Sequence, residues 1–64
     1  MTFKTRKEVK NYLVSFMNEK AAKKFNRLSN EAQSHHVKYS YEYSRFIGDL
    51  SYMEAYAEQL EASL

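Results

Sequence analysis

No cysteine and no proline occur in this chain, and glycine occurs once, at Gly48. Without cysteine there is neither a disulfide nor a thiolate metal site, which agrees with a reducing compartment. Turn-rich β architectures draw on Gly and Pro, so their scarcity points to an all-α chain. No apolar run is longer than three residues, so no segment can span a bilayer. The charged stretch Met1–Lys10 is followed by no apolar core of signal-peptide length. The expectation is a cytoplasmic protein with no membrane association.

The 64 residues are expected to form one helical domain over 1–64. A chain this short buries only ~60% of its unfolded surface. Without cross-links it needs very regular helix packing or a partner.

Charge is unevenly spread. Residues 1–27 carry eight cations against Glu8 and Glu19, a net +6. Residues 28–64 carry Lys38 and Arg45 against six carboxylates, a net −4. Either the halves attract each other within one fold, or the basic half faces an anionic partner.

In the second half, Ala32, His36, Tyr39, Tyr43, Phe46, Leu50, Met53, Ala57, Leu60 and Leu64 recur at alternating gaps of four and three. Such spacing predicts a buried helical stripe. In the first half, Val9, Leu13, Phe16, Met17, Ala21, Phe25 and Leu28 predict one helix from Arg6 to Arg27, loosened at Asn18. Thr5 and Glu8 fit a capping box at its start. Met1–Lys4 is expected to fray, with Phe3 able to fold back. Ser29 or Asn30 caps a second helix running to Ile47. Gly48 suits the left-handed residue that ends a helix, and Ser51 with Glu54 forms a second capping box before a third helix, Tyr52–Ala62.

The pattern therefore favours a small three-helix bundle. The alternative reads through Gly48, since glycine inside a helix costs only ~1 kcal/mol. That gives a helix ~52 Å long from Asn30 to Leu64. It belongs to a two-helix hairpin dimerising into a four-helix bundle.

Two sets of side chains are candidates for binding. Lys20, Lys23, Lys24 and Arg27 form like-charged pairs at i, i+4, each repelling by a few tenths of a kcal/mol. Arg6 and Lys7 occupy a first helical turn, where the dipole disfavours cations. Local stability selects neither placement; an anionic partner explains them, and a solvated face balanced by the acidic half is the bland reading. The second set is aromatic. Tyr39, Tyr43 and Phe46 fall on the core stripe, whereas Tyr41, between Lys38 and Arg45, and the pair Tyr52 and Tyr56 are expected to face a partner protein. For Tyr41 the bland reading is a cation–π contact with Arg45.

Catalytic and metal chemistry have little support. The adjacent His35 and His36 point ~100° apart on a helix and cannot share a metal comfortably. His36 is expected at the edge of the core and His35 outside. Glu54, Glu58 and Glu61 read as a solvated face. No cofactor is implied.

The expectation is a non-enzymatic protein-binding module, an inhibitor or regulator of the kind carried by phages and mobile elements, acting through an aromatic and charged helical face. Two alternatives stand beside it. One is a nucleic-acid-binding protein using the basic first helix. The other is a structural protein that self-associates, for instance as a homodimer, through the four-three stripe.

Overall fold

The computed structural model describes residues 3–64 as four helices and, among those residues, no strand. They are α1 (Arg6–Val14), α2 (Glu19–Asn26), α3 (Asn30–Ile47) and α4 (Ser51–Ser63). The all-α expectation holds. Where three helices were expected there are four, because the first is divided. The continuous helix through Gly48 does not form.

The division has a geometric cause. The buried residues of the first half are Val9, Leu13, Met17, Ala21 and Phe25, spaced by four. On a straight helix each such step rotates the stripe by ~40°. Over four steps it would wind ~160° away from the core. Ending α1 at Val14 and restarting at Glu19 turns both halves onto one core. The break is built from short turns, Phe16 N–H to the Leu13 carbonyl and Met17 N–H to the Val14 carbonyl. Asn18 then caps α2, its Oδ1 accepting from the Ala21 N–H at 2.8 Å. The Asn18 side-chain amide and backbone N–H both donate to the Glu61 carboxylate on α4.

The other caps depart from expectation in detail. Thr5 Oγ1 accepts from the Glu8 N–H at 3.2 Å, but Glu8 reaches one residue further, to the Lys4 N–H at 2.8 Å. Ser29 caps α3. Gly48 ends it at φ +76°, with the Gly48 N–H on the Arg45 carbonyl and the Asp49 N–H on the Ser44 carbonyl. This is the two-bond pattern of a Schellman cap, which needs a left-handed residue. The second capping box does not form: Ser51 is already helical, and Asp49 Oδ1 accepts the Ser51 N–H at 2.9 Å. That bond holds the Asp49 carboxyl below its ordinary pKa.

The core joins Val9 and Leu13 of α1, Met17 of the break, Ala21 and Phe25 of α2, Val37 of α3 and Met53, Ala57 and Leu60 of α4. The α4 half of the expected stripe is buried. The α3 half is not. Tyr39, Tyr43 and Phe46 lie outside the core, and Val37, Ser40 and Ser44 are buried in their place, with Tyr41 half-buried beside them. Serine is the reason. Ser40 Oγ donates to the Val37 carbonyl at 3.1 Å and Ser44 Oγ to the Ser40 carbonyl at 2.8 Å. Hydroxyls satisfied within their own helix can be buried without an orphaned polar group, and their small volume suits a tightly packed helix face. The tyrosines one position away then extend beside α4 instead of beneath it.

Phe3 does fold back, its ring 5.2 Å from that of Tyr12 and 5.4 Å from that of Tyr41. Met1 and Thr2 lie outside the described residues. Among the described residues no helix is long and apolar enough to cross a membrane.

Candidate interaction surface

Displacing the tyrosines from the core creates a surface. Along α3, His35, Tyr39, Tyr43 and Phe46 follow one another at helical spacing with ring centroids 6.2 to 6.4 Å apart. Along α4, Tyr52 and Tyr56 do the same at 6.2 Å. The two rows meet across the helix boundary: Tyr43 lies 4.4 Å from Tyr52, and Tyr39 lies 5.7 Å from Tyr56. Ring-on-ring contacts of this kind add ~0.5–1.5 kcal/mol each beyond the area they bury, and Tyr56 joins the rows to the core.

Its exposure is high. Phe46 is 86% exposed, Tyr39 48%, Ile47 47% and Tyr43 43%. A phenylalanine left almost wholly in water adds nothing to the stability of this fold that its burial would. Contiguous exposed rings with hydroxyl edges are the composition of a binding hot spot.

One edge of the surface is anchored inward. His36 Nδ1 and the Tyr56 hydroxyl are 2.8 Å apart. Partial burial, and then the neighbouring His35, lower the pKa of His36 from its ordinary 6.5. In the neutral tautomer protonated at Nε2, His36 Nδ1 accepts a hydrogen bond from the Tyr56 hydroxyl. Burial, reinforced by Tyr52 and Tyr39, raises the Tyr56 pKa, and desolvation, reinforced by Tyr39 and Tyr43, raises that of Tyr52. The face is therefore uncharged at neutral pH at every one of these groups. His35 is exposed and His36 half-buried, as expected, and their rings are 5.6 Å apart. Among the described residues no three acidic or histidine side chains converge as a metal site.

The residues expected to bind a partner divide between two flanks of α3. Tyr52 and Tyr56 belong to the ring surface. Tyr41 and Arg45 lie on the other flank, where Tyr41 packs against Phe3 and the Arg45 guanidinium sits 5.8 Å above its ring, and Lys38 lies between the two, bordering Tyr41 on one side and Tyr39 on the other. Tyr41 is thus half-buried, not a free-standing exposed ring. Sequence reasoning missed Tyr39, Tyr43 and Phe46 as surface residues. The signal that finds them is the pattern Val37, Ser40, Tyr41, Ser44, an i, i+3, i+4, i+7 stripe in which serine stands for a small residue.

The basic set Lys20, Lys23, Lys24 and Arg27 lies on and just after α2. Lys23 pairs with Glu19 at 3.5 Å, and Lys24 Nζ donates to the Leu64 carbonyl at 3.0 Å. Two of the four cations therefore have partners within the fold. Comparison with family models, with curated proteins and with solved structures gives no match.

Proposed function

We propose that this chain is a protein-binding module without catalytic activity of its own, which inhibits or regulates a target protein by occupying it through the α3–α4 aromatic face. The observation that carries the reading is Phe46 standing 86% exposed at the end of a continuous row of half-exposed tyrosines. Folding alone does not account for it, since the core is complete without these rings. A cognate surface would desolvate them, and Tyr and Phe lose little conformational freedom on binding.

The test compares proteins captured from a lysate of the source cell, with nuclease present, by the wild-type chain and by Phe46→Ser and Tyr39→Ala. Both positions are exposed enough that helix content should be unchanged, which circular dichroism checks. A protein held by the wild type and lost by both variants supports the reading. A captured set that the two substitutions leave unchanged overturns it.

A further inference from the structure

On the opposite flank of α3 a second surface has a different chemistry. The start of α1 and the first half of α3 enclose two adjoining depressions, of about 340 and about 260 Å³. Arg6 and Val37 line both, so Arg6 is the saddle between them. The apolar surface of the floor comes from the half-buried rings of Phe3 and Tyr41 at one end, with Val9 and Val37 lying beneath at 5% and 3% exposed. The rim is basic. Lys4, Arg6, Lys7, Lys10 and Lys38 surround the depressions against one carboxylate, Glu42, at the Tyr41 end.

None of these cations is in an ion pair: among the described residues the sole pair is Glu19 with Lys23. Glu8, the nearest acid in sequence, caps the Lys4 N–H. Arg6 makes one side-chain hydrogen bond, from Nη1 to Ser34 Oγ at 3.4 Å, and its other guanidinium donors remain open for the paired contacts a carboxylate favours. Arg6 and Lys7 also sit in the first turn of α1, where the helix dipole works against them.

We infer that this groove binds an acidic amphipathic segment of a partner protein, with an apolar side chain set against the Phe3 and Tyr41 rings and flanking carboxylates on Arg6, Lys38 and the rim lysines. Charge complementarity selects the acidic residues, and the floor selects the apolar one. A phosphate backbone would match the rim but leave Phe3 and Tyr41 without an apolar counterpart, and it would meet Glu42. The groove meets the aromatic row only at Lys38 and Glu42, which border His35 and Tyr39, while its α1 cations and Phe46 share no lining, so this inference stands apart from the preceding one.

The test is selection of a random displayed peptide library on the full chain, followed by affinity measurement of the enriched peptides. Enriched sequences should place Leu, Ile or Phe among Asp and Glu. The double variant Arg6→Gln/Lys38→Gln should weaken them by at least about tenfold, as expected for loss of charge-assisted bonds. Both side chains are exposed, so the fold should be unaffected. Phe46→Ser should leave the affinity unchanged, which separates the groove from the aromatic face. No enrichment, or enriched peptides that bind the double variant equally well, overturns the inference. So does a single-stranded oligonucleotide that binds as tightly with the same dependence on Arg6. A dimer in sedimentation that Lys38→Gln dissolves also overturns it, because the groove's occupant is then a second copy.

Discussion

The rings of Tyr43 and Tyr52 meet 4.4 Å apart across the α3–α4 boundary, the shortest aromatic separation among the described residues. They tie a surface row on α3 to a surface row on α4 at the end where Gly48 turns the chain. A double-mutant cycle with Tyr43→Ala and Tyr52→Ala should give a coupling of about 0.5–1.5 kcal/mol, towards the low end because Tyr43 is half-exposed. Urea denaturation of the four chains measures it. Additive effects would mean that the rings are merely adjacent.

Ser44 is fully buried among the packed helices. Ser44→Leu should cost about 1–3 kcal/mol through overpacking against the neighbouring helices. Ser44→Ala should stay within about 1 kcal/mol, since the hydroxyl's bond is made within its own helix. Thermal melts of the two variants should differ in that order.

Gly48 is left-handed, and a Cβ placed there meets nothing within 4 Å. The cost of Gly48→Ala is therefore backbone strain alone, about 1–2 kcal/mol. Gly48→Asn should cost less, because asparagine tolerates this conformation better. Equal losses in the two variants, read from denaturation midpoints, would point instead to a steric cause.

Asn18 caps α2 and joins it to α4 through Glu61. Asn18→Ala should destabilise the protein by about 1 kcal/mol for the cap, with a further loss for the Glu61 contact. Asn18→Asp keeps the cap but faces Glu61 with a like charge. It should fall between wild type and alanine at low pH, and fall further as both carboxyls ionise. Amide exchange across Glu19–Asn26 should report the loosening.

His36 makes stability depend on pH. Its pKa in the folded chain lies below the ordinary 6.5 that it regains on unfolding. The unfolded state therefore takes up the proton first as pH falls. The contribution is fully present above 6.5 and is lost as pH drops through the folded value. Denaturation midpoints measured between about pH 7.5 and about pH 5 should decline in the wild type and decline less in His36→Gln. An identical decline in both would assign the effect elsewhere.

The helical class, the start of α3 at Ser29, its end at Gly48 and the buried face of α4 follow from residues that act locally. Serine accepts a neighbouring N–H, glycine alone adopts φ of +76° without strain, and Met53, Ala57 and Leu60 are apolar at helical spacing. Asn18 was a local signal of the same kind, visible as a slip in the first stripe. Which face of α3 turns inward was not local. Tyr39, Tyr43 and Phe46 make as regular a stripe as Val37, Ser40, Tyr41 and Ser44, and the more apolar one. Only the docking of α1 and α4 against α3 decided between them, because buried serines satisfy their own hydroxyls and take little space in the packed interior. That choice moved three aromatic rings to the surface and separated Tyr52 and Tyr56 from Tyr41, Lys38 and Arg45. The basic groove is likewise tertiary: Arg6 and Lys38 are 32 positions apart in the chain, and the packing of α1 on α3 makes them neighbours.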